Sequence, residues 1–306
     1  TNINSIPYAR QRIRTIYTDG IYRPIQEVLA YCSPNQNDII TYTKYNCYGN
    51  ADKQSLPYAA TVGGGSYRSS AESEQFGYYD NIYSGEGGYA SSRKSFEESP
   101  LQRPIEEYLS GSGSYATSGS ATTRYQYGIN GVNEVILWSV NTSNEALINN
   151  GYYSEGMLHK TTITDPDGRV TIRYADRQGL EVETRQGSQS PLVTSYVYDV
   201  YGRLGYVIPP LAQSSSPNTQ LCYKYSYDHR NRKKESYVPE KGTTYYVYDA
   251  DNRLVCSQDP VQRSLNKWTF TRYDRLGREL YSGIAYYSGT LQNLRDDYAN
   301  NSYSES

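Results

Sequence analysis

At 306 residues the chain has room for a large core or two domains. Its 30 basic and 32 acidic residues leave a net charge of -2, so no global field draws nucleic acid or anionic lipid. With a mean hydropathy of -0.78 and no apolar run of spanning length, no membrane span is expected. The 37 tyrosines against 3 phenylalanines predict a thin sheet, wet on at least one face, in place of a thick dry core.

Residues 1–60 read as degenerate copies of a unit that becomes regular further along. Asp19 and Arg23 stand four apart behind Tyr17, but Tyr22 occupies the place where glycine is expected. Tyr45-Asn46-Cys47-Tyr48-Gly49-Asn50 keeps the glycine and has Asn in both charged places. A hairpin is expected at each, and the departures put the Asp-to-Arg contact in question at both. Residues 61–123 read as a Gly/Ser-rich insertion. GGGSYRSS and SGSGSYATSGSATT read as flexible loops. Between them Ser70 opens a predicted helix over Ala71–Tyr83, with Phe76, Tyr79 and Tyr83 at helical spacing and Gly77 weakening it. Phe96 to Pro104 is a further hairpin-like unit, ending in Arg103-Pro104 as the earlier one ends in Arg23-Pro24.

Residues 124–288 carry the regular repeats. Glu134 to Val140 is the most continuously apolar run and predicts a strand buried on both faces. Asp165-Pro-Asp167-Gly168-Arg169 follows, then Asp176 with Gly179, where Leu180 takes the Arg place. Four close copies come next: Asp199 with Gly202 and Arg203, Asp228 with Asn231 and Arg232, Asp249 with Asn252 and Arg253, and Asp274 with Gly277 and Arg278. Each stands behind a tyrosine-rich run whose alternation suits a pleated, half-buried strand. Gly or Asn tolerates positive φ and closes a tight turn. The Asp accepts from amides two residues on. The Arg is expected to face back toward that Asp or the ring before it, as an ion pair or a cation–π contact. Each unit is then one β-hairpin, and hairpins stack because one alone cannot bury its apolar face. Residues 289–306 are polar, with a short helix expected around Leu291 to Tyr298.

These units resemble the YD repeats of the RHS family, most strongly over residues 165–283 and more weakly over 8–163. The resemblance implies an all-β fold, hairpin repeats in a curved, spiralling, shell-like sheet, with one or two short helices in insertions. RPIQEVLAYCSPNQNDIITYTKY and DKQSLPYAA resemble the segment before the repeats in secreted RHS proteins of the Bacteroidota type. The implied function is a non-enzymatic structural segment of a secreted or cell-surface protein whose shell encloses or presents cargo, such as a C-terminal toxin domain. The implied partners are the rest of its own polypeptide, that cargo, and a type IX-like secretion machinery. Asp165-Pro-Asp-Gly resembles the start of the signature at which RHS cores cleave themselves. Its Gly- and Asn-rich continuation is missing, so a plain turn is expected. A chain that opens on Thr1, shows no signal peptide, has Met157 as its single methionine and ends without a cap is expected to be a mature product or a piece of a longer one.

Other chemistry has little support. Asp249-Ala-Asp251-Asn252 and Asp165-Pro-Asp167-Gly168 suggest a calcium loop, but the fifth place holds Arg253 or Arg169, which would repel the ion. His159 and His229 have no Cys or His at ligand spacing, so no metal, cofactor or catalytic role is assigned. Cys32, Cys47, Cys222 and Cys256 form no CxxC pair and stay open as zinc ligands, disulfides or buried thiols. Cys222 and Cys256 sit in strand patterns that favour small apolar fillers. Arg230, Arg232, Lys233 and Lys234 are expected to split between two faces of a solvated hairpin tip, not to grip nucleic acid. A carbohydrate-binding or adhesion module using exposed Tyr rows on surface glycans is the alternative to the structural role.

Overall fold

Period-two alternation of apolar and polar side chains decides most of the architecture. The computed structural model describes residues 13–61, 64–111, 122–141 and 143–299, and the backbone of 304–305. Its described residues form an all-β, mainly antiparallel arrangement with a few short helices, as expected from the sequence; only residues 304–305 pair parallel, with Tyr273 and Asp274. The chain groups into two compact units, residues 1–127 with 161–171, and residues 128–160 with 172–306.

In the first unit, strands β1 (Ile13–Thr18), β2 (Pro24–Ala30), β3 (Ile39–Tyr45), β4 (Ala51–Ser55), β5 (Tyr58–Ala59), β6 (Ser91–Phe96), β7 (Pro104–Tyr108) and β8 (Thr122–Ile129) pair antiparallel. The order is β1-β2-β3-β4-β6-β7-β8, with β5 sharing the edge of β3 with β4. Gln26, Val28 and Ala30 alternate inward along β2 and are buried. Val28, Ile40, Tyr42, Tyr58, Ala60 and Ala71 make the core.

Helix α1 (Ala71–Ile82) packs on this core with only part of the expected face. Ala71 and Gln75 are buried and Tyr79 packs on the core half-buried, while Phe76 and Tyr83 are exposed. The reason is polar. The Gln75 amide donates to the carbonyls of Leu56 at 2.9 Å and Ala90 at 2.6 Å and accepts from the Tyr42 hydroxyl at 2.8 Å. Ser70 does not cap the backbone; its hydroxyl donates to Glu74 at 2.6 Å. Gly64 to Ser70, expected as a flexible loop, is tied down. Fully buried Asp38 accepts from the amides of Gly64 and Gly65 at 3.0 and 2.7 Å, and Gln26 exchanges two bonds with the Arg68 backbone. Most of the second expected loop lies outside the described residues.

Along the rest of the chain run β9 (Ile136–Val140), β10 (Leu147–Tyr152), β11 (His159–Thr164), β12 (Val170–Ala175), β13 (Glu181–Gln186), β14 (Leu192–Tyr198), β15 (Leu204–Ile208), β16 (Tyr223–Tyr227), β17 (Lys233–Val238), β18 (Gly242–Tyr248), β19 (Leu254–Gln258), β20 (Lys267–Asp274) and β21 (Glu279–Tyr286). From β13 to β21 each strand pairs antiparallel with the next. The run from Glu134 to Val140 is not the twice-buried strand expected. It yields β9, which pairs with β10 in a separate ribbon and buries only Trp138. That ring packs on Val197, Tyr206, Ile208, Ala212 and Cys222, so one face of the ribbon is covered. Close approach depends on Gly205: a Cβ there would lie 2.7 Å from Val140 Cγ2.

Two helices complete the second unit. Helix α2 (Pro260–Ser264), which hydrophobic periodicity did not suggest, is set by a capping box between Asp259 and Gln262, with Pro260 in the first turn. Helix α3 (Leu291–Ala299) lies where the sequence suggested and buries Leu294 against Val247, Val255, Cys256 and Trp268.

Candidate functional site: the turn ladder

Each turn that carries the repeat Asp is built from five consecutive residues. At Asp19, Asp165, Asp176, Asp199, Asp228, Asp249 and Asp274, the Asp amide donates to the carbonyl four residues on. The amide three residues on returns to the Asp carbonyl, all at 2.9–3.1 Å. The fourth residue must then take positive φ. Asn231 and Asn252 sit at 62° and 65°, Gly202 and Gly277 at 75° and 79°, and Tyr22 is forced to 64°. One carboxylate oxygen accepts from the amides two and four residues on, at 2.9 and 3.0 Å in Asp199. The other takes the Arg Nε at 2.7 Å in the pairs Asp19–Arg23, Asp199–Arg203 and Asp228–Arg232. The same bond is 2.8 Å in Asp249–Arg253 and 2.6 Å in Asp274–Arg278.

The departures are informative. Tyr22 does not prevent the Asp19–Arg23 lock. Asn46 keeps both amide bonds, to Tyr48 and Asn50 at 3.0 Å, and gives up only the charge. At the Asp165 turn Arg169 is 77% exposed, 4.0 Å from Asp165 and 3.3 Å from Asp167, so the turn closes without a tight lock. Ser33-Pro-Asn-Gln36-Asn37 is one more copy that the sequence pattern missed. Gln36 has φ 58°, and Asn37 N donates to Ser33 Oγ at 2.8 Å.

The ring that meets each Arg comes mainly from the next hairpin, and it is the Tyr just before that hairpin's Asp. Arg203 lies 4.9 Å over Tyr227, Arg232 4.8 Å over Tyr248 and Arg253 5.3 Å over Tyr273. In the first unit Arg23 lies 4.4 Å over Tyr45 and Arg103 4.1 Å over Tyr127. The tyrosine hydroxyl donates to the carbonyl of the residue after the Arg. The pairs are Tyr227 to Leu204, Tyr248 to Lys233 and Tyr273 to Leu254, at 2.8–3.0 Å. Tyr45 to Pro24 and Tyr127 to Pro104 follow suit. Tyr198 keeps this bond, to Glu181 at 3.0 Å, although Leu180 has replaced the Arg. A third contact runs from Arg Nη1 into the next turn: Arg203 to Asn231 Oδ1 at 2.8 Å, and Arg232 to the Asp249 carbonyl at 3.0 Å and Asn252 Oδ1 at 3.1 Å.

One register serves every joint. The third residue after the Arg place faces the third before the Tyr: Gln26 with Tyr42, Glu106 with Arg124, Glu183 with Ser195, Tyr206 with Lys224, Glu235 with Tyr245 and Cys256 with Phe270. The signal for this was in the sequence, in the recurrence of Tyr198, Tyr227, Tyr248 and Tyr273 directly before Asp.

Residues 1–129 match the family described as Domain of unknown function (DUF6443). No curated protein matches the chain. Among solved structures, the chain is similar to TcdB2-TccC3 without its hypervariable C-terminal region, with TM-score 0.58 and 15% identity, and to TcdB2-TccC3, with 0.57 and 14%. Either match covers 91% of this chain and 13% of the other. The Tc holotoxin pore of Photorhabdus luminescens matches with TM-score 0.57 and 14% identity, covering 92% of this chain and 13% of its own. The fold is shared. The chain spans about 13% of the length of these toxin chains.

Within this fold the Asp199 and Asp228 carboxyls are held below their ordinary value. Burial pushes the Asp199 and Asp228 carboxyls up. The Arg side chain, the backbone amides and the Arg charge outweigh that and leave both below the ordinary value. A second charged cluster joins the start of β9 to β12 and β13. Burial raises Glu134, but Lys160 at 2.7 Å, the Tyr174 hydroxyl at 2.6 Å and the Gly131 amide at 2.6 Å bring it down to about 2. Burial raises Glu183, which meets Arg185 at 2.7 Å and Ser195 at 3.4 Å. Tyr174 is fully buried and every carboxylate oxygen in the cluster is bonded, so it works as a clasp.

The remaining candidates are dispersed. Cys222 and Cys256 are buried, and burial pushes their thiols up. Cys32 is half-buried and Cys47 exposed, and all four are free. His159 and His229 are exposed, and no group of His, Cys, Asp and Glu able to hold a metal occurs among the described residues. The basic cluster disperses as well: Arg230 donates to the Ala250 carbonyl, Arg232 to Asp228, Lys233 lies over Tyr246, and Lys234 pairs with Glu145 at 3.1 Å. A cleft of about 530 Å³ opens between Asn141, Ser143–Glu145 and Tyr201, Arg203 and Tyr225. No helix among the described residues is long and apolar enough to cross a membrane.

Proposed function

We propose that the chain is a non-enzymatic segment of an RHS-like β-shell in a secreted or cell-surface protein, built to enclose or present cargo such as a C-terminal toxin domain. The observation that carries this is the ladder. Its Asp, Arg and Tyr side chains are bonded to one another and to backbone, in one register at every joint, and so build sheet and leave no group poised for bond chemistry. The similarity of 91% of the chain to TcdB2-TccC3, a structure solved with and without a hypervariable C-terminal region, supports a shell placed ahead of variable cargo. The action is steric and collective: a sheet of interlocked hairpins excludes solvent and partners from what lies behind it. The partners in this scheme are the rest of the same polypeptide, the cargo, and a type IX-like route out of a Bacteroidota-type cell.

The test is protease protection in the full-length polypeptide of the same reading frame. The downstream segment is expected to resist cleavage, and to become sensitive when Arg203, Arg232 and Arg253 are all replaced by Ala. Equal cleavage of that segment with the sheet intact would refute enclosure. One observation favours glycan binding as a second role. Tyr22, Tyr48 and Tyr201 stand on turns and are 88%, 66% and 74% exposed, although Tyr201 also lies 4.8 Å under the Arg203 guanidinium. Specific glycan-array hits lost in Tyr201→Ala would support it, and a blank array would remove it.

A further inference from the structure

The turn of the β9–β10 ribbon overhangs the face of the sheet that carries Tyr206, and between them lies the cleft of about 530 Å³. Alternation along β16 puts Lys224 and Ser226 on that same face, since Lys224 stands opposite Tyr206 in the ladder. Ser226 lines the cleft and is 5% exposed, and its hydroxyl has no hydrogen-bond partner among the described residues. The other described serines buried in this unit are bonded: Ser195 to Glu183 and Gln213, and Ser236 to Tyr246. A buried hydroxyl left unpaired is costly unless something reaches it.

The walls supply donors. Asn141 and Asn144 use their side-chain oxygens on backbone amides of their own turn, at 2.8 and 3.1 Å, which leaves their amide NH2 groups for a ligand. Lys234 and Lys224 share one carboxylate, Glu145, at 3.1 and 3.8 Å, so one positive charge is left over. Glu145 is held at φ 56°, a strained setting for a residue other than Gly, and the Tyr206 hydroxyl donates to its carbonyl at 2.8 Å. The Tyr201 ring stands at the rim, mostly in solvent.

We propose that this cleft binds an acidic sugar, a uronic or sialic acid unit of a glycan. The sugar ring stacks on Tyr201, its hydroxyls meet Ser226 and the asparagine amides, and its carboxylate meets Lys234. A peptide suits the cleft poorly. The strands beneath, β14 to β18, are paired along both edges and offer no backbone for strand addition. The aliphatic lining is limited to Val140 and Val200, too little to anchor an apolar side chain. The assignment rests on the glycan-binding reading and gives it a place and a charge preference.

The test is calorimetric titration of the 306-residue protein with digalacturonate and with sialyllactose, against neutral galactobiose and lactose. At least one acidic probe should bind saturably and about tenfold more tightly than its neutral counterpart. Lys234→Met should erase that preference. Ser226→Ala should weaken binding about fivefold without lowering Tm, since no internal bond is lost. Lys233→Ala, which removes an ammonium lying over Tyr225 and Tyr246, should leave affinity unchanged. No saturable binding of either acidic probe at about 10 mM, equal affinity for the neutral sugars, or undiminished binding by Ser226→Ala would overturn the site. Glycan-array hits that survive Ser226→Ala would sink this site and leave the glycan reading standing, while a blank array would remove both.

Discussion

Replacing Arg232 by Ala removes a whole joint at once. The side chain is 14% exposed. It gives Nε to Asp228 at 2.7 Å and Nη1 to the Asp249 carbonyl and Asn252 Oδ1, and lies 4.8 Å over Tyr248. Two bonds into the next turn at about 1 kcal/mol each, and a partly desolvated cation–π contact of about 1 kcal/mol, make a loss of roughly 3 kcal/mol. For a unit of this size that lowers Tm by about 6–12 °C. Arg278→Ala makes the same chemical change at a turn that lacks the next hairpin, and should move the midpoint by about a third of that or less. The assay is thermal and urea unfolding followed by tryptophan fluorescence, since Trp268 is buried in this unit. Equal shifts for the two variants would refute the claim that the Arg acts across the joint and would confine its role to closing its own turn.

Three further outcomes follow from single contacts. Gly205→Ala puts a methyl 2.7 Å from Val140 Cγ2 and should cost about 1–3 kcal/mol, with Val140→Ala restoring part of it in a double-mutant cycle. Tyr22→Gly relieves an exposed residue held at φ 64° and should stabilise the first unit by about 1 kcal/mol, read from its melting midpoint. Glu134 is depressed in the folded state to about 2. The stability it confers is therefore complete above an unfolded value of about 4.3 and is lost as pH falls toward 2. Glu134→Gln should flatten the unfolding-versus-pH curve across that window, and an unchanged acid limb would show that the clasp is not carried by its charge.

The turns were legible because their chemistry is local. A carboxylate that accepts from amides two and four residues on leaves its signature within five residues, and Asp199 through Arg203 contains all of it. The joint was harder to read, since Arg203 and Tyr227 are far apart along the chain and only register brings them together. Helix α1 was legible only in part: of the stripe Phe76, Tyr79 and Tyr83, Tyr79 alone meets the core, while Gln75 anchors the helix by hydrogen bonds. The apolar run ending at Val140 looked like a central strand, yet apolarity does not say how many neighbours a strand pairs with. Helix α2 is too short for periodicity to register, although its Asp259-Pro-Val-Gln262 cap was plain in the letters.

The uniform register has a consequence for how such a chain can change length. Since the described hairpins meet their neighbours through the same offset, and most of them through the same Asp, Arg and Tyr, duplicating or deleting one unit would leave the flanking pairs in phase. Arrays of this kind can therefore grow or shrink by recombination in whole courses, as masonry does, without redesign of the bricks on either side.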